Sequence, residues 1–149
     1  MASGKVTYLY FLHTQLNDDD CAFKIGITQN IEDRINALQI GNPVEIKLHH
    51  REAFPSIREA SNFERIIHRC FSSHHMRGEW FKCDGYINDA INYIKHNGII
   101  SSIDVIQSAS NCYKELNDNS KFEGIDFETQ TAIYGDGGFH LSCWSYAVS

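Results

Sequence analysis

Two short segments near the N-terminus, rich in β-branched and aromatic residues, constrain the fold most strongly. They are residues 5–13 (KVTYLYFLH) and 22–28 (AFKIGIT), and the polar run NDDD at residues 17–20 separates them. Such residues favour strands, and a polar loop between two strands favours a hairpin. The chain is therefore predicted to begin with an antiparallel pair of strands.

Helical patterns follow this pair and alternate with one more strand. The first helix begins after Asn30, which can cap it, and stops at Gly41, and a third strand is predicted at residues 44–49. A second helix starts near Pro55, and a third runs from Asp84 to Asn97. Residues 99–109 are ambiguous, and residues 124–148 suggest a hairpin. The order β-β-α-β-α-α predicts an α/β domain of the α+β kind, with a small three-stranded antiparallel sheet flanked by helices.

The second predicted helix carries an acidic residue in the middle of its apolar face. Positions 57, 60, 64, 67 and 71 follow the spacing of a buried stripe and hold Ile57, Ala60, Glu64, Ile67 and Phe71. A carboxylate at the centre of such a stripe costs stability unless it has a partner, such as an arginine or a metal ion. Glu64 is therefore a candidate functional residue, and a salt bridge to Arg34 is the structural alternative.

The net charge of −6 is unevenly distributed along the 149 residues. Residues 1–97 carry eleven Lys/Arg against twelve Asp/Glu, whereas residues 98–149 carry two against seven. This division predicts a nearly neutral domain over residues 1–97 and an acidic extension over 98–149 that packs on its core. The total charge therefore does not exclude a nucleic-acid partner.

Within the predicted domain, residues 47–82 hold seven basic and four acidic residues. Lysines and arginines that displace counterions from phosphates supply sequence-independent affinity for nucleic acid. We expect Arg58, Arg65, Arg69 and Arg77 to bind DNA, and a solvated surface of scattered charge is the alternative.

Membrane and cysteine patterns exclude several other classes of protein. No apolar run approaches the roughly 20 residues of a membrane helix, and the N-terminus lacks the layout of a signal peptide, which predicts a cytoplasmic, intracellular protein without a membrane partner. Five widely spaced cysteines predict reduced thiols rather than a disulfide framework. A zinc site among the histidines and cysteines of residues 68–83 is disfavoured because their spacing fits no zinc knuckle.

Five motifs in order resemble the GIY-YIG nuclease superfamily, in particular its phage and bacterial branch with a KIG-type second motif and a closing GEWF. They are Leu9-Tyr10, Lys24-Ile25-Gly26-Ile27-Thr28, Arg34, Glu64 with His68, and Gly78-Glu79-Trp80-Phe81. The resemblance covers about residues 5–95. The sequence departs from the family pattern at Tyr8, Lys24 and Leu38, where a glycine, a tyrosine and a histidine are usual.

The resemblance implies a metal-dependent endonuclease that hydrolyses DNA phosphodiester bonds. Glu64 would hold Mg²⁺ or Mn²⁺, and Arg34 would neutralise the scissile phosphate. Tyr10 would help to activate water if a cation such as Lys24 or the metal lowers its pKa from about 10. His68 would position a phosphate or simply pack.

Two other functions are compatible with the same sequence. A DNA-binding module that keeps the fold without catalysis would need only the basic stretch. A protein-interaction role would instead depend on the acidic extension. Taken singly, Tyr10 could equally be a core residue and Arg34 could pair with nearby acids. The oligomeric state is not predicted.

Overall fold

The structure is a computed structural model that describes residues 6–116. The chain divides between Cys83 and Asp84 into two compact units. The described residues form five strands and four helices: β1 (Thr7–Gln15), β2 (Cys21–Thr28), α1 (Ile31–Gln39), β3 (Ile46–Phe54), α2 (Ile57–Cys70), β4 (His75–Arg77), β5 (Trp80–Lys82), α3 (Gly85–Asn97) and α4 (Ile99–Leu116). Within residues 6–116, no helix has both the length and the apolar character needed to cross a bilayer.

The first unit is built on one antiparallel sheet with the strand order β3-β1-β2-β5-β4. The predicted hairpin is confirmed, since Tyr8 lies opposite Thr28 and Gln15 lies opposite Cys21. The prediction of three strands is wrong, because β4 and β5 extend the sheet to five. Each of these strands has three residues, too few to produce a recognisable alternation of apolar and polar positions.

Helix α1 covers one face of the sheet. The Asn30 side chain accepts a hydrogen bond from the backbone N–H of Asp33 at 3.0 Å, as predicted for the N-cap. The helix ends before Gly41, whose φ of +77° few other residues tolerate. The apolar residues of α1 pack against even-numbered positions of β1; this cluster contains Ile31, Ile35, Leu38, Tyr10, Leu12 and Ile46.

Helix α2 packs on the opposite face. Phe81 of β5 pairs with Phe23 of β2, which in turn pairs with an odd-numbered position of β1. The rings of His68 and Phe71 lie 5.0 and 6.4 Å from that of Phe81. Of the predicted apolar stripe, Ala60, Ile67 and Phe71 are fully buried, whereas Ile57 in the first turn is 55% exposed. Glu64 is half-buried among them.

The prediction that all cysteines are reduced is also wrong. Cys21, the first residue of β2, and Cys83, just after β5, form a disulfide with their Cα atoms 5.4 Å apart. The two cysteines are 62 residues apart in sequence, and only the pairing of β2 with β5 brings them together. Their spacing along the chain therefore carried no sign of the bond. Cys70 and Cys112 are not disulfide-bonded.

The second unit contains α3 and α4. As predicted, α3 begins near Asp84 and ends at Asn97. The Asp84 side chain caps the helix by accepting from the N–H of Ile87 at 2.9 Å, and Gly98 follows the helix with a φ of +83°. Helix α4 accounts for the segment that was ambiguous in sequence, and the rings of Tyr86 and Tyr113 stack at 4.5 Å. The hairpin predicted over residues 124–148 lies outside the described residues. The division of the chain at residue 97 stays a prediction.

Candidate functional site

The site is centred on Tyr10, in the middle of β1. Its side chain is 1% exposed, because it lies beneath α1 on the face that this helix covers. Arg34 of α1 donates a hydrogen bond from Nε to the Tyr10 hydroxyl at 3.3 Å. The two residues predicted to contact water and phosphate are therefore in direct contact, and each fixes the position of the other.

Gly26 provides the space that the Tyr10 hydroxyl occupies. It lies opposite Tyr10 in the β1–β2 register. A Cβ atom at this position would lie 2.5 Å from the Tyr10 Oη, 2.8 Å from its Cζ and 2.9 Å from the Glu79 Oε1. Gly26 is therefore required by a close approach of two polar side chains.

Glu79, in the turn before β5, is the partner of two further site residues. Its Oε1 lies 3.2 Å from the Nζ of Lys24, whose side chain is almost completely buried. The same ammonium lies 5.5 Å from the centre of the Trp80 ring, within the range of a cation–π contact. Lys24 is thus held between a carboxylate and an aromatic ring.

Glu64 reaches the same carboxylate from α2. Burial, the negative charge of Glu79 and a hydrogen bond with Glu79 raise the pKa of Glu64 to about 7, and Lys24 opposes this rise only in part. Near neutral pH the Glu64 carboxyl is therefore partly protonated, and it is hydrogen-bonded to the carboxylate of Glu79. A carboxylate on the apolar face of α2 needs a partner. For Glu64 that partner is a second carboxyl group, Glu79, rather than Arg34.

His68, one turn after Glu64, completes a set of three possible metal ligands. One ligand atom each from Glu64, His68 and Glu79 lies within 4.8 Å of the others. The His68 Nε2 lies 2.7 Å from the backbone oxygen of Ile25. When Nε2 donates to that oxygen, the lone pair of Nδ1 is available to a metal, which is a common arrangement for ligating histidines.

The environment of Tyr10 differs from the one that the sequence led us to expect. Burial raises the pKa of Tyr10, the Glu79 and Glu64 charges add to this, and Arg34 opposes it. Lys24 is engaged with Glu79 instead of lowering the pKa of the tyrosine. Without a metal, Tyr10 is therefore a neutral hydroxyl at neutral pH and is not itself a base.

The five residues predicted to be catalytic, namely Tyr10, Lys24, Arg34, Glu64 and His68, all border this one site. Glu79 was missed: its motif was recognised, but no role was assigned to its carboxylate. A charged residue beside the aromatic pair Trp80-Phe81 was the available signal, and Phe81 proves to be buried while Trp80 is half-buried.

The predicted DNA-binding arginines occupy two places. Arg58, Arg65 and Arg69 are exposed and recur at spacings of seven and four, so they form one stripe along α2. Arg77, at the end of β4, lines a separate groove of about 240 Å³ together with Trp80, Met76 and others. We call the first set the α2 arginine stripe.

The raised pKa of Glu64 predicts a specific dependence of stability on pH. A carboxyl group with a pKa near 4.5 when unfolded and about 7 when folded stabilises the protein below 4.5, and this contribution is lost as the pH rises to 7. In metal-free protein, the free energy of unfolding of wild type relative to Glu64→Gln should fall across this window. Urea titrations of both proteins at several pH values would measure it, and a constant difference between them would contradict the assignment.

Comparison with known proteins identifies one family. The model of the T5orf172 domain matches residues 7–98, which is more than half of the chain and includes every residue of the site. This domain is phage-associated and is of a DNA-binding or nuclease-like kind. No curated protein and no solved structure gives a significant match.

Proposed function

Because the chain belongs to the T5orf172 domain family, we propose that it is a DNA endonuclease of the GIY-YIG type that hydrolyses phosphodiester bonds with a divalent metal ion. One observation carries the proposal. A hydrogen-bonded carboxyl pair, Glu64 and Glu79, lies beside a buried tyrosine that is hydrogen-bonded to Arg34. Acidic, cationic and hydroxyl groups in one place are what hydrolysis of an anionic ester requires.

The donor atoms of the site fit a hard divalent cation. Two carboxylates forced together by the fold repel each other once both are ionised, and a cation between them would relieve this repulsion. Glu64, Glu79 and His68 would hold Mg²⁺ or Mn²⁺, ions that accept carboxylate oxygens and keep several positions for water and phosphate. When bound, the ion would polarise a phosphoryl oxygen and lower the pKa of coordinated water.

The chain's own residues would bind and orient the substrate. Arg34 is half-buried, and its Nε is already committed to Tyr10, which leaves its terminal nitrogens for a phosphate oxygen. The Tyr10 hydroxyl accepts from Arg34, so its own proton points elsewhere and can orient the attacking water. Lys24 would hold Glu79 in place, and its ammonium would add positive charge near the phosphate.

Plasmid DNA provides the direct test. Purified protein should convert supercoiled plasmid to nicked or linear forms in Mg²⁺ or Mn²⁺, and an excess of EDTA should abolish the reaction. Arg34→Ala should be inactive, whereas Glu32→Gln, an exposed change on the same helix, should cleave like wild type. Cleavage that is equal with and without EDTA, or equal in Arg34→Ala, would contradict the proposal.

The α2 arginine stripe favours a second candidate, a DNA-binding module without catalysis. Both candidates require DNA as the partner, but only this one survives loss of the carboxyl pair. It predicts duplex binding that is unchanged in Glu64→Gln and unaccompanied by cleavage in any divalent metal.

Changes in the stripe should weaken DNA binding in either case. Replacing Arg58, Arg65 and Arg69 with alanine should lower affinity for duplexes of any sequence, because phosphate contacts carry no sequence information. The slope of log affinity against log salt should fall by roughly 0.9 for each phosphate contact removed. Fluorescence anisotropy over a salt series would measure it, with Lys95→Ala, an exposed change on α3, as the control. An unchanged slope would exclude the stripe from the interface.

A further inference from the structure

A second group of possible metal ligands lies at the far end of β2 from Gly26. One ligand atom each from His13, Cys21 and Cys83 lies within 4.8 Å of the others, and all three residues are half-buried. Cys21 pairs with Gln15, two positions along β1 from His13, so that His13 and Cys21 project from the same face. The backbone N–H of Cys83 donates to the carbonyl of Cys21 at 3.0 Å. The pairing of β1, β2 and β5 therefore brings these three residues together.

The chemistry of these atoms differs from that of the carboxyl pair. Two sulfurs and an imidazole nitrogen suit a borderline-soft cation, and Zn²⁺ commonly takes three protein ligands with a fourth position left for water. Tetrahedral Zn–S and Zn–N bonds of about 2.3 and 2.0–2.1 Å place ligand atoms roughly 3.5–3.8 Å apart. The three ligand atoms lie within 4.8 Å of one another, so small side-chain rotations after reduction of the disulfide would reach this geometry.

We propose that His13, Cys21 and Cys83 bind Zn²⁺, or a cation of similar softness, when the Cys21–Cys83 disulfide is reduced. A phosphine reductant cleaves the S–S bond and is oxidised to the phosphine oxide with oxygen from water, which leaves two thiols. Each thiol then loses its proton as it binds the metal. The oxidised and metal-bound forms are alternatives, because one pair of sulfurs serves both. This site is independent of the proposed nuclease function.

Neighbouring residues are compatible with a cation at this place. Lys47 of β3 lies opposite His13 of β1. Lys47 itself is 70% exposed and paired with Glu45 at 3.5 Å, so its ammonium can remain in solvent. The Phe23 ring lies 5.1 Å from that of His13 and restricts where the imidazole can turn.

Cobalt and zinc binding to the reduced full-length chain tests the proposal. After reduction with a phosphine, Co²⁺ should produce the near-ultraviolet charge-transfer band of cobalt–thiolate bonds, and Zn²⁺ should abolish it by competition. Dialysed protein should retain one equivalent of zinc. Cys21→Ser and Cys83→Ser should weaken binding by at least the roughly 10- to 100-fold that even an outer-shell change costs, and His13→Gln should weaken it too.

Matched variants separate this site from the other thiols and from the carboxyl pair. Cys70→Ser and Cys112→Ser remove the described cysteines that lie outside the disulfide and should give the same cobalt–thiolate band as wild type, as should Glu64→Gln. In wild type, zinc should protect Cys21 and Cys83 from alkylation as measured by mass spectrometry, a readout that does not depend on any variant folding. The proposal is overturned if reduced wild type retains no zinc, if Cys21 and Cys83 alkylate equally with and without it, or if the cobalt band persists in Cys21→Ser.

Discussion

Replacing Glu64 with glutamine is expected to lower metal-dependent DNA cleavage by roughly 100- to 1,000-fold, the range typical of losing one electrostatic partner of a transition state. The amide keeps the size of the side chain but cannot ionise, and it is a weaker ligand for Mg²⁺. Initial rates of plasmid nicking in saturating Mg²⁺ would measure the loss. If the rates were to match those of wild type, Glu64 would not hold the metal.

Stability measurements separate this loss from simple unfolding. Above pH 7 both carboxyl groups of the metal-free wild type are ionised and repel each other, so Glu64→Gln should be at least as stable as wild type there. Glu59→Gln, an exposed carboxyl group in the first turn of the same helix, should change neither cleavage nor the effect of pH. A Glu64→Gln protein that is both inactive and unstable at pH 8 would indicate a structural role instead.

Replacing Gly26 with alanine should damage both the fold and the site. The added methyl would lie 2.5 Å from the Tyr10 Oη and 2.9 Å from the Glu79 Oε1, distances at which one group must move. Tyr10 is 1% exposed in the cluster beneath α1 and has little room to do so. Over-packing of this kind costs about 1–3 kcal/mol, which urea denaturation would detect, and cleavage should fall as Arg34 loses its contact with Tyr10.

A double variant identifies the source of this cost. Tyr10→Phe removes the oxygen that makes the shortest contact, so Gly26→Ala should cost less in the Tyr10→Phe background than in wild type. Cleavage should remain low in the double variant, because the hydroxyl is absent. Equal costs in the two backgrounds would show that the methyl does not meet Tyr10.

The parts of the fold that depend on neighbouring residues could be predicted from sequence. Asn30 and Asp84 cap their helices through contacts three residues away. The apolar residues of α1 recur at the regular spacing of a helix. Such signals are local, so the pattern of residues alone contains them. The position of Glu64 on the apolar face of its helix likewise predicted that its carboxylate needed a partner.

The identity of that partner could not be predicted, because it depends on strand pairing far along the chain. Strands β4 and β5 are too short to be recognised, yet β5 fixes both Glu79 beside Glu64 and Cys83 beside Cys21. Without these strands, a metal ion and Arg34 were the partners considered for Glu64, and the cysteines had no visible partner. Missing one three-residue strand therefore concealed both groups of possible metal ligands.

The strand order also determines when the site can form during synthesis. β5 joins the sheet against β2, although all of α1, β3 and α2 lies between them in sequence. A nascent chain that ends after α2 already contains Tyr10, Arg34 and Glu64 but lacks Glu79. Contacts between distant segments form late because a long loop must close first. The acidic pair therefore cannot form until β5 has been synthesised, and a fragment that ends after α2 has no assembled centre.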